Sequence, residues 1–260
     1  MVAWLEVREL TKRFGGVTAL DRVSFDVGEG RTVGLIGPNG AGKTTLFNCV
    51  TGVARPDGGT VRFGQGLAHR LDGRASHRVA GFGIARTFQN IRLFSSLTVV
   101  ENVLVGASAR TTHGLAGALW PARAARDHER RTASRAMELL AFLGLADRAA
   151  APAGSLPFGR QRRLEIARAL IAEPSLLLLD EPAAGLNPVE KQELLGIIRQ
   201  LKSRGLTILL IEHDMQVVMP VSDHVVVLDY GKKLAEGPPQ AVQNDPRVIE
   251  AYLGVPQEGR

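Results

Sequence analysis

"GPNGAGKT", residues 37 to 44, is the stretch that decides the fold of this 260-residue chain. It matches G-x-x-x-x-G-K-T and lies between a strand-like apolar run, "TVGLI" (32 to 36), and a helix-like run, "TTLFNCV" (44 to 50). In such a loop, backbone N–H groups close around phosphates, a lysine neutralises them and a hydroxyl can ligate Mg²⁺. We predict a phosphate-binding loop at a strand-to-helix turn. Its candidate binding residues are Gly37, Pro38, Asn39, Gly40, Ala41, Gly42, Lys43, Thr44 and Thr45.

Three further apolar runs accompany this loop: "LLLLD" (176 to 180), "TILLIE" (207 to 212) and "HVVVLD" (224 to 229). Continuous rather than alternating apolarity is typical of parallel strands that are covered on both faces. A helix is predicted between the first two, with Asn187 as N-cap and Pro188 at the first helical position. The fold class is therefore α/β, with a parallel sheet flanked by helices.

The N-terminal and central parts differ from this core. Segments 2 to 10, 23 to 27 and 59 to 63 have the alternation and turn residues of antiparallel strands. Residues 98 to 145 have a mostly helical pattern, loosened around "THGLAGALWPARAARDHERR" (112 to 131), which is interpreted as an insertion of uncertain structure.

We therefore expect a single domain over residues 1 to 260. Its nucleotide-binding core is predicted to comprise residues 1 to 89 plus 159 to 260, with a helical subdomain at 90 to 158.

Composition limits the possible classes of protein. Hydrophobic residues make up 45% of the chain, enough for a packed interior, but no apolar run approaches the ~20 residues of a membrane span. The alternating "MVAWLEVREL" does not resemble a signal peptide. The net charge of +6 suits nucleic acid, an anionic membrane face or a nucleotide. Cys49 is the only cysteine, so no internal disulfide forms and a cytosolic chain is expected.

Two carboxylates follow the predicted strand "LLLLD". Asp180 ends the strand, which would hold its carboxylate beside the phosphate loop as a metal ligand, and Glu181 is a candidate base for an attacking water. Taken alone, Asp180 and Glu181 could simply be polar residues at the end of a strand, without a role in catalysis. The phosphate-binding loop favours the catalytic interpretation.

With these motifs, the chain resembles the nucleotide-binding subunit of an ATP-binding cassette (ABC) transporter over essentially its full length. The resemblance implies a P-loop ATPase that binds MgATP and hydrolyses it to drive transport. "LPFGR" (156 to 160) resembles the signature loop of that family, usually L-S-G-G-Q. In the family two subunits pair head to tail, and the signature loop of one closes over ATP held by the other. This role would fall to Phe158, Gly159 and Arg160.

The resemblance also implies roles for three isolated residues. Gln89 is similar to the Q-loop glutamine, which reaches the metal and the attacking water, and His213 to the switch histidine on the γ-phosphate. Phe14 fits the aromatic that stacks on adenine. Without the family resemblance, other interpretations would remain open: Gln89 as a surface residue, His213 as a polar residue without a special role, and Phe14 as a core residue. The implied metal ligands are Thr44, Gln89 and Asp180, and the implied catalytic residues are Lys43, Gln89, Glu181 and His213.

Two motifs depart from the family pattern, at three positions. In the D-loop, "AAGLNP" (183 to 188), Asn187 stands where an aspartate is usual. In the signature loop, Pro157 replaces serine and Arg160 replaces glutamine. The arginines between 160 and 168 are expected at a subunit interface and in solvent, with no nucleic acid partner.

Three stretches narrow the resemblance to ATP-binding subunits of bacterial branched-chain amino acid importers: "RTFQNIRLFSSLTVVENVLVG" (86 to 106), "QRRLEIARAL" (161 to 170) with "LLDEPAAGLNP" (178 to 188), and "NDPRVIEAYLG" (244 to 254). The implied partners are two membrane permeases, a second ABC ATPase and, indirectly, an external amino-acid-binding protein. The implied location is the cytoplasmic face of the bacterial inner membrane, without an anchor.

Other functions remain open at this stage. A lipopolysaccharide exporter ATPase has a similar tail but usually lacks the insertion. A soluble ABC ATPase acting on ribosomes or nucleic acid usually has two cassettes or a coiled-coil insertion. A regulatory protein that closes on ATP without hydrolysing it is conceivable because of Pro157.

Overall fold

The computed structural model describes residues 2 to 107 and 122 to 253. The strands within these ranges are β1 (Ala3–Phe14), β2 (Val17–Gly28), β3 (Thr32–Ile36), β4 (Gly58–Phe63), β5 (His69–Arg70), β6 (Ile84–Arg86), β7 (Leu176–Asp180), β8 (Thr207–Ile211), β9 (His224–Asp229) and β10 (Lys232–Gly237). The helices are α1 (Lys43–Val50), α2 (Ser76–Gly81), α3 (Val99–Ala107), α4 (Ala122–Phe142), α5 (Phe158–Leu170), α6 (Pro188–Ser203), α7 (Met215–Val218), α8 (Pro239–Gln243) and α9 (Pro246–Leu253).

The strands form two sheets. The larger has the order β10-β9-β3-β8-β7-β6, in which β9, β3, β8, β7 and β6 run parallel and β10 pairs antiparallel at the edge. The smaller is antiparallel, with the order β2-β1-β4-β5. The four predicted parallel strands and the antiparallel N-terminal part are thus confirmed.

Continuous apolarity in the central strands reflects burial on both faces of the large sheet. Every residue of β3, β7 and β8 is buried. In β7, Leu176 and Leu178 pack on the side of the N-terminal sheet and α1, whereas Leu177 and Leu179 pack on the side of α5 and α6. Each face therefore belongs to a different apolar cluster, as a covered parallel sheet requires.

Parallel strands place the chemistry at one edge of this sheet. The phosphate-binding loop follows β3, Asp180 is the last residue of β7, and Glu212 directly follows β8. Because β3 and β7 both pair with β8 in parallel, these carboxyl ends lie side by side.

The helical region lies between β6 and β7. Helices α3 and α4 contribute Val103, Ala136 and Leu140 to the apolar cluster that also contains β7 and α6. Residues 108 to 121, which include the first half of the predicted insertion, lie outside the described residues, while 122 to 131 belong to α4. The division into a core and a helical subdomain stays a prediction, since this cluster is continuous across the proposed boundary.

Two further observations concern the described residues. Cys49 is fully buried in the core, and burial raises the pKa of its thiol to about 11, which keeps it a neutral apolar side chain. Within these residues, none of the helices has both the length and the apolar character needed to cross a bilayer.

Candidate active site

Two glycines fix the path of the phosphate-binding loop. Gly37 has φ 152°, and a Cβ there would lie 2.1 Å from the carbonyl oxygen of Leu228 on β9. Gly42 has φ 98°, and its Cβ would lie 2.5 Å from the carbonyl oxygen of Ala19 on β2. Only glycine fits both the dihedral angle and the space at these positions. The loop is therefore held between the two sheets, with α1 starting directly behind it.

Lys43 points back into this loop. Its side chain is only 6% exposed, and Nζ donates to the carbonyl oxygens of Gly37 (2.7 Å) and Pro38 (2.9 Å). Burial lowers the pKa of the ammonium, opposed by the charges of Glu181 and Asp180. The ammonium group of Lys43 thus lies against the backbone of its own loop. Phosphate oxygens would replace the two carbonyl oxygens as its partners.

Asp180 is held by one oxygen only. Its Oδ2 pairs with Arg86 (NH2, 2.7 Å), while its Oδ1 is buried and has no hydrogen-bond partner among the described residues. The carboxylate is 2% exposed, so an unpartnered oxygen there is costly. A divalent cation is the ligand that such an oxygen fits, and the donor set predicted for Mg²⁺ is consistent with it.

Glu181 occupies a strained backbone position beside two other predicted site residues. Its φ is 45°, in the left-handed region that a non-glycine residue adopts at a cost of about 1 to 3 kcal/mol. Gln89 donates from Nε2 to Glu181 Oε2 (2.9 Å), and His213 Nδ1 lies 3.9 Å from the same oxygen. The structure therefore brings together three residues that are separated by up to 124 positions in sequence.

Two of these residues, Gln89 and Glu181, line a cavity of about 240 Å³, and His213 does not. Its walls are residues 39 to 45 of the phosphate-binding loop and α1, together with Ala19, Gln89 and Glu181. Phe14 is 53% exposed at the end of β1, with Lys12 Nζ 5.2 Å from its ring centroid, and it does not line this cavity in the described structure. Its adenine-stacking role stays a prediction.

The signature loop faces other elements of the same chain. The Phe158 ring packs on Gly185 of the D-loop, and a Cβ on Gly159 would lie 2.3 Å from Glu190 Oε1 at the start of α6. Arg160 pairs with Asp147 (3.0 Å). None of the three lines the cavity around Lys43 in the described residues. The predicted contact of this loop with ATP on a second subunit therefore remains untested.

One expectation about the arginines of α5 is wrong. Arg162 does not lie at a surface: it is 1% exposed and donates to the carbonyl oxygens of Phe88 and Gln89, both at 2.9 Å, and to Glu165 (3.1 Å). Glu165 in turn accepts from the N–H of Phe88 (3.3 Å). This buried pair fixes the backbone of the Q-loop.

Sequence reasoning missed two further residues of the site. Arg86 pairs with Asp180, and the signal for it was weak, since β6 is only three residues long. Glu212 is buried and accepts from the N–H of Ala183 (2.8 Å), which fixes the start of the D-loop. Burial raises the pKa of this carboxyl. A carboxylate ending an apolar strand beside His213 was the available signal.

Comparison with protein-family models supports the predicted resemblance. The family "ABC transporter" matches residues 20 to 184. The chain belongs to the ABC transporter family. A second model, "Branched-chain amino acid ATP-binding cassette transporter", matches residues 232 to 257.

Curated relatives of this ABC protein cover nearly its whole length. It is 46% identical over 251 residues to "High-affinity branched-chain amino acid transport ATP-binding protein BraF" of Pseudomonas aeruginosa, covering 96% of this chain and 97% of that protein. The "LivG" protein of Salmonella typhimurium, which has the same descriptive name, shows the same identity and coverage. A "Probable branched-chain amino acid transport ATP-binding protein LivG" of Archaeoglobus fulgidus is 36% identical, covering 96% and 95%.

Solved structures agree with the fold. The ADP conformation of MJ1267, "an ATP-binding cassette of an ABC transporter", superposes with a TM-score of 0.85 at 33% identity, covering 98% of this chain and all of that one. The predicted fold class is therefore confirmed. ABC ATP-binding proteins are nucleotide-binding ATPases coupled to transport, so the predicted enzyme class is confirmed as well.

Proposed function

We propose that this chain hydrolyses ATP to power the uptake of branched-chain amino acids through an ABC importer. Full-length similarity to proteins that bear this description carries the proposal, and the match over residues 232 to 257 supports it. Leucine, isoleucine and valine would be bound by other subunits. None of the relatives reported above is described as a lipopolysaccharide exporter ATPase or as an ATPase acting on ribosomes or nucleic acid.

The nucleotide would be bound by the phosphate-binding loop. Its N–H groups and Lys43 contact the phosphates, and the buried ammonium would exchange its two carbonyl partners for phosphate oxygens. Mg²⁺, when bound, would neutralise charge on the β- and γ-phosphates. Thr44, Gln89 and Asp180 are the residues that would hold it, and the unpartnered Oδ1 of Asp180 is the observation that fits this assignment.

Glu181 is the proposed general base. Its carboxylate lies at the cavity wall, and Gln89 and His213 approach the same oxygen, so a water held there would have an acceptor for its proton. His213 would position the γ-phosphate. The strained φ of Glu181 supports a functional role, because backbone strain of this kind is concentrated at active sites.

Coupling to transport would require a second ATPase subunit and two permeases. Phe158, Gly159 and Arg160 would contact ATP held by the paired ATPase, and the surface around Gln89 would contact a permease. Phe94, 52% exposed, supports the latter, since its backbone is held by Asn102 while its ring faces solvent. An external amino-acid-binding protein completes the proposed importer, with this chain on the cytoplasmic face of the membrane.

Leucine uptake by a strain that lacks this gene tests the proposal. Complementation with the wild-type gene should restore uptake of labelled leucine, whereas Glu181→Gln should not, because the amide keeps the shape and loses the base. Phosphate release by the purified complex should fall by about 10² or more in the variant.

Two results would contradict the proposal in different ways. Normal leucine uptake in the deletion strain, with a complex that still hydrolyses ATP, would reject the substrate class and leave the ATPase assignment intact. Near-normal phosphate release by the Glu181→Gln complex would remove this residue from the role of base.

A further inference from the structure

Arg86 is a buried cation that the proposed mechanism does not use. Its guanidinium connects β7 with the end of α1: NH2 contacts Asp180 Oδ2 at the end of β7 (2.7 Å), and NH1 donates to Asn48 Oδ1 on α1 (2.7 Å) and to Thr51 Oγ1 directly after α1 (3.3 Å). The rings of Phe47 and Phe88 flank it, with centroids 5.4 and 5.3 Å away. Nε has no hydrogen-bond partner among the described residues, and the contacts of NH1, NH2 and the two rings fix the position of the guanidinium.

The contact with Arg86 makes the two oxygens of Asp180 different from each other. Arg86 occupies Oδ2 and neutralises much of the carboxylate charge, whereas Oδ1 remains without a partner. In the described residues, no group of three or more His, Cys, Asp or Glu side chains converges to hold a metal ion. Of the three residues proposed to hold the metal, only Asp180 is charged, and Arg86 partly neutralises it, so without nucleotide they are a poor ligand set for a divalent cation.

We propose that Arg86 is a positioning residue that reserves one oxygen of Asp180 for a divalent cation and prevents that cation from binding until ATP is present. The triphosphate then supplies the negative charge and the oxygen ligands that the protein lacks. Arg86 thereby strengthens the thermodynamic coupling between metal and nucleotide. The inference rests on the proposed role of Asp180 as metal ligand.

The Mn²⁺ affinity of the purified chain tests this role. If Arg86 only held β7 and α1 together, its replacement would not change that affinity. Free Mn²⁺ is measured by electron paramagnetic resonance, without nucleotide and with a non-hydrolysable ATP analogue. Arg86→Gln should bind Mn²⁺ at least about tenfold more tightly than wild type without nucleotide, because a nearby positive charge is removed. With the analogue bound the gain should be smaller, so the measured coupling falls.

A matched control removes the same charge elsewhere. Arg31→Gln abolishes the ion pair with Asp223, outside the site, and should leave Mn²⁺ affinity unchanged with and without the analogue. If Arg31→Gln binds Mn²⁺ as tightly as Arg86→Gln does, the effect comes from net charge and the proposal is overturned.

Because losing a buried cation can prevent folding, a second variant is needed. Asn48→Asp has the same shape and places a carboxylate on the NH1 group of Arg86, where it competes with Asp180 for the guanidinium. It should bind Mn²⁺ about threefold or more tightly without nucleotide. Unchanged Mn²⁺ affinity in every folded variant of Arg86 or Asn48 would overturn the proposal.

Asp180→Asn separates this inference from the proposed function. It should weaken Mn²⁺ binding in the presence of the analogue. If it does not, the metal site itself is wrongly assigned, whereas a weakened Asp180→Asn combined with unaffected Arg86 and Asn48 variants refutes only the role of Arg86.

Discussion

Substitution of the signature glycine by alanine is expected to act through the first turn of α6. A Cβ on Gly159 would lie 2.3 Å from Glu190 Oε1 and 2.6 Å from Glu190 Cδ. The Glu190 carboxylate accepts from the N–H of Asn187 (3.0 Å), while Asn187 Oδ1 accepts from the N–H of Glu190 (3.0 Å), a complete capping box. Gly159→Ala therefore displaces the carboxylate from its cap.

The magnitude follows from two opposed effects. Loss of the bond to the Asn187 N–H costs about 1 kcal/mol. Alanine in place of glycine inside α5 gains at most about 1 kcal/mol of helix propensity. In a Glu190→Ala background the carboxylate is absent, and only the gain remains. The double-mutant cycle should therefore give a coupling energy of about 1 kcal/mol, with alanine at 159 favoured only when Glu190 is removed.

Urea unfolding of the four proteins measures this coupling. Gly196→Ala in α6 is the matched control, since its Cβ would meet nothing within 4 Å and it should stabilise by about 0.5 to 1 kcal/mol in either background. Equal effects of Gly159→Ala in both backgrounds, within about 0.3 kcal/mol, would refute the steric argument.

Three further changes probe the membrane contact, the buried carboxyl and the signature arginine. Phe94→Asp should release the protein from membranes in cell fractionation while leaving ATP binding intact; a variant that stays bound and supports uptake would place the contact elsewhere. Burial raises the pKa of Glu212 above its ordinary 4.5, so native-state stability should fall as pH rises from there through the native pKa. Glu212→Gln should remove that slope in urea unfolding at several pH values, and an unchanged slope would reject it. Arg160→Ala should weaken ATP-dependent association with the paired ATPase without changing the nucleotide affinity of the lone chain, whereas Asp147→Ala, which keeps Arg160 and removes its partner and that of Arg148, should not weaken it.

The central strands could be predicted because the signal for each lies within a few consecutive residues. A continuous apolar run such as "LLLLD" indicates a strand that is buried on both faces, and the motif at residues 37 to 44 fixes the turn after β3. Strand β6 escaped prediction because three residues carry no measurable periodicity, and its place in the sheet depends on pairing with β7, far away in sequence.

Of the candidate site, the residues around Glu181 could be predicted only with the family resemblance. Nothing in the sequence near Gln89 or His213 states that both approach one carboxylate oxygen. Burial of Arg162 was missed for another reason: a run of arginines suggests a solvated face. Helical spacing contained the contrary signal, since Arg162 is four positions from Ile166 and eight from Leu170, both buried.

The buried ion pair on α5 holds the backbone of the Q-loop at the candidate site. Arg162 and Glu165 together make three hydrogen bonds to the backbone of Phe88 and Gln89, and the turn of α5 that precedes them packs Gly159 on Glu190. Breaking one partner of a buried pair costs about 3 to 5 kcal/mol, more than a surface contact provides. Loss of either partner is therefore expected to free the backbone of Phe88 and Gln89 from α5 and so to disturb the position of Gln89 beside Glu181.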